Sequence, residues 1–266
     1  MMEVISNTHK HYLKSLRRHR FIVRICRCLI LVLFLGLWEF AAMTGMIDSF
    51  IFSSPRKIAL CFWSMVEDKS IFLHIGVTLY ETLISFALVI IFSILAATIL
   101  WFFPKLSEIL EPYLVVLNSL PKSALAPLLI VWLGANTTTI IVAGMSVAVF
   151  GSILNLYTSF QRISKEKIKL IYTLGGNRGH AMTKVILPAS VPSIISSMKV
   201  NIGLCLVGVI IGEFIGARQG LGYLIIYSSQ VFKLDWLIMS IIILCIIAMV
   251  LYQLISILEK WCKKKF

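Results

Sequence analysis

Acidic residues are scarce in this chain: twelve Asp and Glu stand against twenty-five Lys and Arg, and charged residues of both signs make up only 14% of the 266. With 59% hydrophobic residues and a mean hydropathy of +0.94, most side chains could not be solvated in an ordinary water-soluble globule. A formal charge of +13 would point to nucleic acid in a soluble protein. Here the bases fall mainly in the gaps between hydrophobic runs, so their positions matter more than their total, and no nucleic-acid partner is expected. The six cysteines (Cys26, Cys28, Cys61, Cys205, Cys245, Cys262) lack the paired spacing of zinc sites, and a disulfide framework or metal site is not expected. Five scattered histidines form no ligand or catalytic set. There is no G-x-S-x-G nucleophile motif and no G-x-x-x-x-G-K-[ST] phosphate cradle, so no cofactor is expected in the chain and any ATP is hydrolysed by another polypeptide. Internal repeats, low-complexity tracts and a soluble domain able to fold alone are also missing.

What is present is a series of apolar runs. About twenty such residues, at a rise of about 1.5 Å each, cross a hydrocarbon core of about 30 Å. Six runs reach that length, roughly 28–47, 81–103, 109–133, 137–159, 191–215 and 236–258. The third carries Pro112, Pro121, Lys122 and Pro127. Such interruptions persist at membrane depth only where protein or a wet cavity satisfies the freed backbone, so this span is expected to be broken and to face the bundle interior. No small-residue cleavage site follows Trp38-Glu39, and the first run reads as an uncleaved span. The fold class is all-α: a polytopic membrane protein with six transmembrane helices.

Lysine and arginine set the orientation. Seven precede the first span, six follow the fourth (Arg162, Lys165, Lys167, Lys169, Arg178, Lys184), and Lys260, Lys263, Lys264 and Lys265 close the chain. The intervening loops hold fewer bases, accompanied by Asp48, Glu67, Asp68 and Asp235, so both termini are expected in the cytoplasm. The organisation is then a basic N-terminal segment (1–27), a transmembrane domain (28–258) and a basic tail (259–266). Residues 10–27 mix bases with Tyr12, Leu13, Leu16, Phe21 and Ile22, which fits either a short helix on anionic headgroups or a generic positive-inside anchor.

Between spans four and five the apolar pattern gives way to "TLGGNRGHAMTKVILPASVP" (173–192). Ser164 can cap a short helix carrying Ile168, Ile171 and Leu174. Gly175-Gly176 permits the left-handed turn that ends it, Asn177 can cap a second helix reaching Leu187, and Pro188 is expected to break the chain before span five. Residues 164–187 are thus a compact exposed element without a core of its own, either a tidy turn or a surface that seats in a groove of another protein.

The spacing of Gly175, nine residues, then Val185-Ile186-Leu187-Pro188 resembles the cytoplasmic signature of binding-protein-dependent ABC transporter permeases. There Glu-Ala-Ala, three residues and Gly are followed nine residues on by hydrophobic-x-Leu-Pro; the Glu-Ala-Ala positions read Lys169-Leu170-Ile171 in this chain. The stretches 37–58 ("LWEFAAMTGMIDSFIFSSPRKI"), 117–135 ("LNSLPKSALAPLLIVWLGA") and 207–225 ("VGVIIGEFIGARQGLGYLI") are similar to the nitrate/sulfonate/taurine/bicarbonate branch of that family. The resemblance implies a coupling site formed by Lys169, Leu170, Ile171, Leu174, Gly175, Leu187 and Pro188. It also implies a cytoplasmic ABC ATPase dimer that binds ATP and Mg, an extracytoplasmic solute-binding protein and a second permease copy.

Three further groups stand out. Lys122, with Asn118 and Ser119 a turn away, could line a translocation path and attract an anion; alternatively it pairs with a carboxylate such as Glu39 or snorkels at a helix break. Gly208, Gly212 and Gly216 line one face of the fifth span, for close packing within the subunit or for contact between permease copies. Glu213 is expected to hydrogen-bond the glycine-rich loop that follows it. The reading is an ATP-driven importer subunit in the cell membrane carrying a sulfonate, taurine or nitrate-like anion. A vitamin precursor of pyrimidine/thiamine or riboflavin type is the alternative cargo, and an ATP-independent secondary transporter the rival mechanism.

Overall fold

The computed structural model describes residues 2–263, and in these the chain is helical throughout apart from short connections. Its elements are α1 (Met2–Met43), α2 (Pro55–Glu67), α3 (Ser70–Phe102), α4 (Pro104–Ser119), α5 (Lys122–Leu133), α6 (Thr137–Gln161), α7 (Lys165–Thr173), α8 (Arg178–Ala181), a π turn (Met182–Ile186), α9 (Leu187–Gly216), α10 (Leu221–Gln230) and α11 (Leu234–Lys263). Among the described residues five helical stretches are long and apolar enough to cross a membrane, and six if α4 and α5 count as one broken span. The expected number of spans is therefore reached only through the interrupted one.

Residues 1–63 form a compact unit of their own. Within it, Glu39 of α1 accepts a hydrogen bond from the backbone N–H of Arg56 at 3.0 Å, satisfying one of the donors left free in the first turn of α2. The second unit, residues 64–266, is built around α3, α6 and α9. Gly144 of α6 lies so close to α3 and α9 that a Cβ there would stand 2.6 Å from Ser85 Oγ and 2.8 Å from Val209 Cγ2. Ser85 in turn donates to Ile141 O across the α3–α6 contact at 3.0 Å. Small residues at such crossings let backbones approach, which drives helix association where lipid offers no hydrophobic gain. Polar pairs reinforce the α6–α9 seam, with Asn155 Nδ2 donating to Ser197 Oγ at 2.9 Å and Asn201 Nδ2 to Ser152 Oγ at 2.8 Å. Lys199 of α9 forms an ion pair with Glu259 of α11, and its ammonium lies 5.6 Å from the centre of the Tyr252 ring.

The break in the third span follows from local chemistry. Leu120 is extended (φ −61°, ψ 140°), as a residue before proline prefers, and Pro121 starts α5 in a new direction, bent 96° from α4. Gly134 (φ +82°) ends α5, and Asn136 Oδ1 caps α6 by accepting from Thr139 N at 3.0 Å.

One expectation is corrected here. Pro188 does not break the chain: helix runs continuously from Arg178 to Gly216. The turn widens instead, with Leu187 N bonded to Met182 O, five residues back. This π turn sits just before the proline, where the ring would otherwise crowd the carbonyl four residues earlier.

Candidate functional site

The exposed element between α6 and α9 is a helix, a glycine turn and a helix start. Ser164 Oγ accepts from Glu166 N at 3.3 Å and opens α7. Gly175 (φ +79°) ends it: Gly176 N bonds Ile171 O at 2.8 Å and Gly175 N bonds Tyr172 O at 3.1 Å, the paired bonds of a Schellman cap. The left-handed conformation explains glycine at 175, whereas at 176 a Cβ would sit 2.5 Å from Ile171 Cγ2. Asn177 and His180 then cap α8 reciprocally, His180 N donating to Asn177 Oδ1 at 2.9 Å and Asn177 N to His180 Nδ1 at 3.3 Å.

The two sides of this knuckle differ. Leu170, Tyr172 and Leu174 are exposed, Leu174 to 75%, and Lys169 is exposed beside them. On the inner side Met182 and Ile186 are buried against Phe160, Leu156 and Tyr157 of α6 and Ala97 and Leu100 of α3, with Ile168 and Leu187 packed at the margin. Arg178 donates to Phe102 O at the C-terminus of α3 at 3.1 Å, where a cation meets the negative end of the helix dipole. Ser107 of α4 and Gln161 of α6 both bond the Tyr157 hydroxyl at 2.5 Å. The knuckle's root is thus in contact with α3, α6 and α9, and through Tyr157 the same cluster is tied to α4. Of the residues expected to form it, Lys169, Leu170, Ile171, Leu174 and Gly175 gather at the tip, while Leu187 and Pro188 lie at its root in α9.

At the break in the third span, Lys122 Nζ donates to Leu117 O at 2.7 Å and Asn118 O at 2.8 Å, two terminal carbonyls of α4. Its ammonium also lies 5.9 Å from the Phe150 ring centre. Ser119 Oγ bonds Val115 O at 2.9 Å, and the Asn118 side chain packs over Gly151, where a Cβ would come within 2.9 Å of its Oδ1. These three residues are brought together. Glu39 belongs to the other unit and is engaged by α2 as described.

The glycine stripe of α9 is filled by the chain itself. A Cβ on Gly208 would meet Val147 Cγ2 at 2.7 Å and Ala143 O at 2.9 Å, and one on Gly212 would meet Ile140 Cα at 3.2 Å. Gly216 packs on Ile130 of α5, 3.0 Å from a Cβ. Contacts within the subunit occupy the space beside all three positions.

At the end of the bundle opposite the knuckle, three consecutive N–H groups opening α10 are capped from other helices. Gly220 N donates to His74 Nδ1 at 3.0 Å, Leu221 N to Thr78 Oγ1 at 2.8 Å, and Gly222 N to Glu213 Oε2 at 2.5 Å. The Thr78 hydroxyl in turn donates to Glu213 Oε1 at 2.7 Å. Glu213 is fully buried, and Cβ atoms on Gly220 or Gly222 would lie 2.5–2.7 Å from its carboxylate, so "GEFIGARQGLGYLI" is a folding motif in which the carboxylate and two glycines require one another. The bond from Glu213 to the following loop is the one expected; its partners on α3 were not.

A helical bundle with a broken span, buried polar seams and an exposed knuckle rooted in the core is the arrangement of a polytopic membrane protein. The chain belongs to the family of binding-protein-dependent transport system inner membrane components, whose profile matches residues 89–266. It is 28% identical over 231 residues to an ABC transporter permease protein of Haemophilus influenzae, covering 86% of this chain and 94% of that one. To the riboflavin transport system permease protein RibX of Chloroflexus aurantiacus it is 27% identical, with 86% of each chain covered. The aliphatic sulfonates transport permease protein SsuC of Bacillus subtilis is 22% identical over 85% of this chain and 82% of its own. In fold, it matches a chain of the inward-facing MetNI methionine ABC transporter with a TM-score of 0.62, at 16% identity, over 70% of this chain and 92% of that one. The chain is therefore an inner-membrane permease subunit of an ABC importer and not an enzyme; ATP hydrolysis falls to a separate subunit.

Proposed function

We propose that the knuckle at residues 164–187 is the seat of a cytoplasmic ABC ATPase dimer carrying ATP and Mg, with both termini on that side of the membrane. A solute-binding protein delivers cargo at the opposite end, where α9 meets α10, and a second permease copy completes the pathway. The observation that carries this reading is the asymmetry of the knuckle. Leu170, Tyr172 and Leu174 are exposed, while Met182 and Ile186 are buried among α3 and α6. Apolar side chains on a short external helix gain from a groove in a partner, and a buried root carries the partner's closure into the spans. The test is co-purification: Leu174→Glu should release the ATPase from a permease that still elutes as a folded, monodisperse species. Retention of the ATPase with undiminished ATP-driven uptake would refute the assignment.

The cargo is a small organic solute of the kinds named for its relatives, a sulfonate or a vitamin precursor. The argument for a simple anion such as nitrate rests on Lys122, and two of that ammonium's three donors are committed to α4 carbonyls. This geometry supports a helix-capping role for Lys122.

A further inference from the structure

A cavity of about 710 Å³ opens where α3 ends and α4 begins, beside the first residue of α8. Ile99, Phe102, Phe103 and Leu106 make most of its wall apolar, and two bases, Lys105 and Arg178, line it with them. Among the described residues neither base is paired with a carboxylate. Arg178 Nη1 donates to Phe102 O at 3.1 Å, which fixes the guanidinium at the end of α3 and leaves most of its donors uncommitted. Helix α4 opens at Pro104 without a side-chain cap, so the free N–H groups of its first turn add partial positive charge on the same side.

Place in the bundle selects the occupant. Phe102 ends an apolar span, and Trp101, in edge contact with Phe102 at 5.2 Å between ring centres, is the kind of residue that gathers at a membrane surface. Phe103 is 60% exposed and Ile99 49%, so apolar surface and positive charge are presented together where acyl chains give way to headgroups. A soluble anion would meet the bases but gain nothing from the apolar wall. A zwitterionic lipid would cover the wall but bring no net charge to the two bases.

We propose that this cavity binds one anionic phospholipid of the cytoplasmic leaflet. Its phosphate is held between Lys105, Arg178 and the first turn of α4, and an acyl chain lies along Ile99, Phe103 and Leu106. Basic pockets at the cytoplasmic ends of spans take acidic headgroups by this pairing, and the guanidinium fork suits a phosphate. The lipid bridges α3, α4 and the root of the knuckle. The site rests on the importer reading only for its leaflet; its chemistry is independent of the cargo and of the ATPase.

The test is native mass spectrometry of the full chain, delipidated in detergent and titrated with dioleoyl-phosphatidylglycerol or dioleoyl-phosphatidylcholine. One phosphatidylglycerol should bind about tenfold more tightly than phosphatidylcholine, the effect expected of two bases near a headgroup. Lys105→Gln combined with Arg178→Gln should remove that preference. Lys165→Gln combined with Lys167→Gln, which takes the same charge from exposed positions of α7, should keep it. Lys105→Gln alone, at an exposed position that holds no other element in place, should reduce the preference severalfold, and Arg178→Lys should retain most of it; these two decide the matter if the double variant melts early. Inorganic phosphate in millimolar excess should not displace the lipid. Equal binding of the two lipids, a preference that survives loss of both Lys105 and Arg178, or one lost equally with Lys165 and Lys167 would overturn the assignment. Displacement by inorganic phosphate would also overturn it, reducing the cavity to a site for free anions.

Discussion

Removing the Glu213 side chain tests whether α10 is held by the buried network at its start. In Glu213→Ala, Gly222 N–H loses its 2.5 Å acceptor and the Thr78 hydroxyl its 2.7 Å one, both out of reach of water. Thr78 keeps its bond from Leu221 N and its hydroxyl can rotate toward a backbone carbonyl, so most of the loss falls on Gly222. An orphaned buried donor costs about 1–3 kcal/mol, and hydrogen bonds measured inside membranes average about 0.6 kcal/mol with a maximum of about 1.7. The cavity left by the side chain adds to this, at roughly 24 cal/mol per Å³. The expected total is about 2–4 kcal/mol. Reversible unfolding in mixed detergent micelles, followed by circular dichroism, reads the change. Glu213→Gln, which retains one acceptor oxygen and nearly the same volume, should recover about half. If Glu213→Ala unfolds within about 0.5 kcal/mol of the wild type, the network does not hold α10 and the argument fails.

Three other predictions follow from the same geometry. Gly208→Val should disrupt the α6–α9 seam, since a Cβ already falls 2.7 Å from Val147 and 2.9 Å from a backbone oxygen; Gly203→Ala, with nothing within 4 Å, should leave stability unchanged or raise it by up to about 1 kcal/mol. The two thermal melts should diverge, and equal melting temperatures would contradict the close-packing account. Lys122→Met should lower stability by about 1–3 kcal/mol through the two released α4 carbonyls while leaving the cargo concentration for half-maximal uptake unaltered; a severalfold loss of apparent affinity without destabilisation would restore the anion reading. Arg178→Ala, removing the bond to Phe102 O, should weaken coupling by loosening the knuckle from α3, seen as ATP hydrolysis that continues with less uptake per ATP; an unchanged ratio would count against it.

Much of this fold is legible in residue patterns because lipid imposes so simple a length rule. The spans, the break at Pro121 and the turn at Gly175-Gly176 each follow from one local constraint, whether an apolar run, a missing donor or a left-handed backbone. Pro188 was misleading because its effect on a helix depends on neighbours: packing of Met182 and Ile186 against Phe160 keeps the helix intact, and the π turn accommodates the ring. The burial of Glu81 is not legible in the sequence for a different reason. With the second span taken to begin at residue 81, that carboxylate sits at the water interface, where it needs no partner; the helix begins at Ser70 and carries it well inside the bundle. The caps supplied by His74 and Thr78 to α10 join residues about 140 positions apart, and no local pattern encodes such a pairing. An isolated carboxylate flanked by apolar residues was the available signal for Glu81, as it was for Glu213.

The central claim is that an ATPase gripping the knuckle drives solute across this chain. Flux into proteoliposomes, compared between the chain alone and the chain assembled with its ATPase and binding protein, addresses it most directly. Uptake should appear only in the assembled particles, require ATP on the knuckle side, and vanish with Leu174→Glu; concentrative uptake by the chain alone would contradict it.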